Sequence, residues 1–101
     1  MALYKILITE LAENEFVSAY QYYELQQIGL GLRFEAEIEI IFKHLISNPF
    51  IFQRNYKHYR EAPLKIFPYF IVYELYGKTV IINSIFHTSR NPKGKLKVRK
   101  K

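Results

Sequence analysis

Residues 3–8 (LYKILI) form a short apolar run of β-favouring side chains, which predicts a strand. Thr9 then stands at a helix N-cap position. Glu10 and Glu13 fall in the first turn, where carboxylates meet the positive end of the helix dipole. Ala12, Phe16, Ala19, Tyr20 and Tyr23 recur at spacings of three and four, one face of an amphipathic helix running to about Gln27. Gly29 can take the left-handed conformation that ends it, and Gly31 loosens the turn. Leu30, Phe34, Ile38, Ile41, Phe42 and Leu45 make the apolar stripe of a second helix. Arg33, Glu35, Glu37, Glu39 and Lys43 fall mostly outside that stripe. Asn48-Pro49 stops it, because a residue before proline avoids α geometry.

The period then changes. Residues 55–61 (NYKHYRE) alternate loosely and predict a strand ending in a turn at Ala62-Pro63. Residues 66–76 (IFPYFIVYELY) are apolar on both faces, as expected of a central strand covered on one side and partly occupied on the other. Pro68, which has no N–H to donate, argues against full ladder pairing near its start. Gly77-Lys78 predicts a tight hairpin turn and residues 79–87 (TVIINSIFH) the last strand. The expected fold is α+β with the order βααβββ: a two-helix hairpin on one face of a twisted, mainly antiparallel, four-stranded sheet. Residues 1–92 make the domain and residues 93–101 a basic C-terminal tail.

Composition narrows the class. A chain of 101 residues supports one core. Half of the residues are hydrophobic, with 9 Tyr and 8 Phe, which excludes intrinsic disorder. The lack of cysteine removes disulfides and thiolate zinc sites, and it fits a cytoplasmic location. The N-terminal apolar run is too short for a signal peptide, and no segment is long enough to span a bilayer, so no membrane role is expected. The net charge is +6, yet residues 93–101 (KGKLKVRKK) hold six Lys and Arg and no acid. Without them the body is formally neutral. Such a tail is either a solvated end or an arm for a nucleic acid or acidic partner.

Four segments, in this order, resemble the RelE/ParE superfamily of toxins: GLGLRF (29–34), NPF (48–50), FPYFIVY (67–73) and IFHTSRNP (85–92). The resemblance is to its ParE-like plasmid stabilisation branch. It implies the toxin of a type II toxin–antitoxin module, cytoplasmic, cofactor-free and neutralised by a cognate antitoxin. ParE-like members inhibit DNA gyrase, whereas RelE-like members cleave ribosome-bound mRNA without a metal.

Metal-free RNA cleavage needs a base for the ribose 2′-OH, cations for the phosphorane-like transition state and an acid for the leaving oxygen. Arg grips phosphate oxygens in pairs, and His titrates near neutrality. If the protein is a nuclease, Arg60, Lys65, His87 and Arg90 are the candidates for catalysis. Lys57, His58, Lys93, Lys95, Lys97 and Arg99 are candidates for contact with nucleic acid or a partner.

Plainer roles stand beside these. Lys57, Arg60 and Lys65 suit charges that keep a strand surface soluble, and His58 suits an ordinary surface residue. His87 alternates with Ile85 and Ile81, which places it at the rim of the core. Arg90 lies between Ser89 and Asn91, whose side chains favour a local turn. Tyr69, Tyr73 and Tyr76 suit core and sheet face better than a base-stacking platform. The pattern also departs from a nuclease: residues 55–65 carry no dense Lys/Arg run, and no aromatic follows Arg90 to stack on a base. There is no Gly-rich phosphate loop and no His/Asp/Glu metal spacing. Three functions remain: a toxin that disables a target such as gyrase through its surface, a ribosome-dependent mRNA endonuclease, and a toxin-like domain that acts with its antitoxin as a repressor. The FHTSRNP ending and the GLG hairpin resemble the ParE side and favour the first, and a neutral body with its charge in the tail counts against the nuclease.

Overall fold

In a computed structural model, residues 3–88 are described. Strand β1 (Lys5–Ile8) leads into helix α1 (Glu10–Gln26) through Thr9. Its Oγ1 accepts from the Ala12 N–H at 3.1 Å and donates to the Asn83 carbonyl at 3.2 Å. Thr9 thus caps the helix and ties its start to the sheet, satisfying one of the N–H groups that a helix start leaves unpaired.

Helix α2 (Leu30–Ser47) follows a turn built on Gly29, whose φ of 91° is open to glycine and strained for other residues. The Glu24 carboxylate closes this turn by accepting from the N–H groups of Gly29 (2.8 Å) and Gly31 (2.9 Å). A Cβ at Gly31 would lie 2.8 Å from the Tyr20 carbonyl, so here glycine also allows the two helices to approach. At the far end the Asn48 N–H bonds the His44 carbonyl, and the Asn48 side chain accepts from Phe50 N–H as the chain turns away.

The remaining strands are β2 (Arg54–Tyr56), β3 (Tyr59–Pro63), β4 (Tyr69–Tyr76) and β5 (Thr79–His87). The sheet order is β1-β5-β4-β3-β2, with β1 parallel to β5 and every other pair antiparallel. The expected α+β fold and helical hairpin are therefore present, with a finer division of the sheet. Residues 55–61 are two strands and not one: Lys57, at φ 52°, turns the chain back and pairs Tyr56 with Tyr59. No glycine marks this turn, so the alternation reads as continuous. Ala62-Pro63 is not a turn but the end of β3, with Pro63 opposite Phe70, and the reversal occupies residues 64–68. Strand β4 starts at Tyr69, directly after Pro68, whose carbonyl still accepts from Thr88 N–H at 2.8 Å.

A bulge in β5 sets the phase of the sheet. Val72 faces Ser84 and Tyr73 faces Ile82, leaving Asn83 as the extra residue. Ile81, opposite Glu74, and Ile85, opposite Ile71, therefore project from opposite faces. His87 shares a face with Ile85 and not with Ile81, which corrects the simple alternation.

The core lies between the helices and the face of the sheet carrying Ile71, Tyr73, Val80, Ile82 and Ile85. Phe34 and Leu45 of α2 are wholly buried in it, as is Ala12 of α1. Phe34, Phe67, Tyr69 and Tyr23 form an aromatic cluster with ring centroids 4.8–6.1 Å apart, mostly edge to face. On the other face Val72 and Phe86 are buried as well. The chain's aromatic content is thus spent largely on holding the fold.

Candidate functional site

Arg60 sits on β3 opposite Tyr73, so both project toward the helices. Its Nη1 donates to the Phe52 carbonyl at 2.6 Å, and its guanidinium carbon lies 5.2 Å from the centre of the Phe50 ring. Tyr73 donates its hydroxyl to the Pro49 carbonyl at 2.8 Å. Burial pushes its pKa up to about 12, with the Arg60 charge opposing the shift. Arg60 and Tyr73 therefore hold the segment that joins α2 to β2. Arg60, one of the two arginines offered for gripping a phosphate, is engaged with the chain's own backbone.

His58 lies in the β2–β3 turn and is directed elsewhere. Its Nε2 is 2.9 Å from Glu74 Oε1, and the other Glu74 oxygen accepts from Asn83 Nδ2 at 3.0 Å. The His58 ring packs at a tilt against Tyr59 with centroids 4.3 Å apart. Glu74 follows Val72 on the face away from the helices, so His58 and Arg60 serve opposite sides of the sheet. Lys57 is exposed in the same turn.

Lys65 lies in the β3–β4 connection. The Glu37 carboxylate of α2 accepts from the backbone N–H groups of Lys65, Ile66 and Phe67, fastening this loop to the helix. The Lys65 side chain is exposed at the rim of an apolar groove of about 550 Å³ on the outer side of α2. His87, at the end of β5, faces Tyr69 with ring centroids 5.1 Å apart. It lines a separate cleft of about 280 Å³ together with Asn14, Glu15 and Ser18 of α1. Glu15 closes the floor of that cleft by accepting from the Ser84 hydroxyl at 2.7 Å and the Ile85 N–H at 2.8 Å.

The structure thus distributes Arg60, His58, Lys65 and His87 over four surroundings. Arg90, Lys93, Lys95, Lys97 and Arg99 lie outside the described residues. Three acids that sequence reasoning left aside, Glu15, Glu37 and Glu74, organise the polar contacts. Only Glu74 carried a visible signal, as the one charge in the apolar run YFIVYELY. Among the described residues no helix is long and apolar enough to cross a membrane, and no three His, Asp or Glu side chains gather as metal ligands.

The profile of the family described as "ParE toxin of type II toxin-antitoxin system, parDE" matches residues 6–92. A solved structure described as "Chromosomal ParDE TA system from P. aeruginosa" superposes with a TM-score of 0.72 over 83% of this chain and 95% of that one. At 18% identity this is a likeness of fold. No curated protein matches the chain by sequence.

Proposed function

Because this chain belongs to the ParE toxin family of type II toxin–antitoxin systems, we propose that it acts by binding and inhibiting DNA gyrase, and that a cognate antitoxin silences it. Its place of action is then the cytoplasm, where gyrase works. The observation that carries this reading is the engagement of Arg60 with the Phe52 carbonyl and the Phe50 ring. Cleavage of RNA without a metal needs cations converging on one phosphate beside an acid–base group. Here Arg60 is engaged with the 50–52 segment, and Lys65 and His87 border different hollows. An inhibitor that works by surface contact needs no such convergence.

The alternative, a ribosome-dependent mRNA endonuclease, draws support from one feature. His58 is an exposed imidazole oriented by a carboxylate, the arrangement that general acid–base catalysis uses. The two readings separate in one pair of assays: gyrase supercoiling, and primer extension on ribosome-bound mRNA. Inhibited supercoiling with intact message supports gyrase inhibition. Codon-positioned cuts that disappear in His58→Ala support the nuclease.

A further inference from the structure

The face of the sheet turned away from the helices is sheltered from water. Val72 is 0% exposed there, Phe86 2% and Glu61 5%. Val72 stands opposite Glu61 and two residues from Phe70, which pairs with Phe86, so all three project from that outer side. Both helices pack against the other side, around Ile71 and Tyr73, and no helix or strand among the described residues crosses this one. Neighbouring side chains give part of the shelter. Phe70 meets Phe86 edge to face at 5.8 Å, and His58 reaches Glu74. Side chains on one sheet face stand roughly perpendicular to it, so these flank Val72 and Phe86 and do not overlie them. Phe86 also lies beyond Ile82, the last residue of β5 paired with β1, where the strand is open along one edge. Its burial calls for chain above it.

Glu61 indicates what that chain carries. A carboxylate so far from water is costly unless a cation or several donors hold it. Arg60 projects to the other side, and Arg54, opposite Arg60, shares that side. Thr88 fixes where the rest of the chain begins, because its N–H bonds the Pro68 carbonyl at 2.8 Å. From Thr88 to Glu61 is two strands across and four residues back, ~17 Å at the spacings of a sheet. Arg90 is two residues further along the chain, up to ~7 Å when extended. The ~10 Å that remains between the two backbones is within the joint reach of an arginine and a glutamate side chain. Ser89 and Asn91-Pro92 are residues that favour a reversal at this place. We propose that residues 89–92 turn back over Phe86 across the outer face, and that Arg90 clasps the Glu61 carboxylate there. The planar, always-charged guanidinium suits a buried carboxylate better than a lysine does. An arginine so engaged is not free to grip a phosphate.

The test is a double-mutant cycle on the full-length protein, read by thermal melting. Arg90→Ala should lower the melting temperature by about 10 °C or more, because it strands the Glu61 charge in a buried place. Glu61→Gln in that background removes the stranded charge and should recover much of the loss, so the two changes are strongly non-additive. Should Arg90→Ala fail to fold, Arg90→Lys is a milder change that carries the same cycle. A chain ended after Pro92 should melt as the full chain does, whereas one ended after Thr88 should melt at least as low as Arg90→Ala. Additive effects of the Arg90 and Glu61 changes, or equal melting of the chains ended after Pro92 and after Thr88, overturn the clasp. Gyrase inhibition is read separately by the supercoiling assay, so failure of the clasp leaves that reading standing.

Discussion

Arg60 donates to the carbonyl oxygen of Phe52 across 2.6 Å, joining the second strand of the β2–β3 hairpin to the chain that leaves α2. Charge-assisted hydrogen bonds of this kind are worth roughly 1.5–3 kcal/mol. Arg60→Ala should therefore lower stability by about 2 kcal/mol in urea denaturation. Any loss of toxicity in Arg60→Ala should follow the folded fraction. Toxicity abolished in a variant of unchanged stability would return Arg60 to a direct functional role.

Tyr73 makes stability depend on alkaline pH. Its folded pKa, about 12, stands above the ordinary value of 10.0 because the hydroxyl is buried. Between those two values the unfolded chain has released its proton while the folded chain retains it, so unfolding becomes easier as pH rises. The contribution is fully present below pH ~10 and lost by pH ~12, amounting to roughly 2–3 kcal/mol. Tyr73→Phe should remove that part of the pH dependence. At neutral pH the same change should cost about 1 kcal/mol for the bond to Pro49. Urea midpoints measured at pH 8 and pH 11 on both proteins would check it.

The helical hairpin depends on its turn. Gly31→Ala drives a methyl group against the Tyr20 carbonyl and the Glu24 carboxylate, both 2.8 Å from the new atom. The expected loss is about 1–3 kcal/mol. Glu24→Ala, which frees the N–H groups of Gly29 and Gly31, should cost a similar amount. Thermal melts of the two variants and their combination should be less than additive, because both act on one contact.

Removal of residues 93–101 takes away six basic residues and no acid. The truncated protein should keep its melting temperature and lose affinity for an acidic or polyanionic partner chiefly at low salt. Titrations at two ionic strengths would measure this. A large drop in melting temperature would show instead that the segment contributes to the fold.

Much of the fold was legible locally. The Thr9 cap, the Gly29 turn, the Asn48-Pro49 stop and the last strand, Thr79–His87, all follow from side-chain period and backbone chemistry within a few residues. The β2–β3 hairpin was not, because its turn rests on Lys57 in a left-handed conformation that no local residue announces. Nor was the bulge at Asn83, which shows only in the register against β4 and moves Ile81 to the other face from His87. The candidate site was the least legible part. Arg60 and His58 are two residues apart on the chain, yet one is bound to Phe52 and the other to Glu74, from opposite sides of the sheet. Such partners are chosen by tertiary contact, and residue type alone could name the cations but not what they hold.

The most direct test of gyrase inhibition is the supercoiling activity of purified gyrase titrated with this protein, with and without the antitoxin. Inhibition should saturate near one toxin per binding site and be relieved by equimolar antitoxin. Undiminished supercoiling at saturating protein, alongside codon-positioned cleavage of ribosome-bound mRNA by the same preparation, would contradict it.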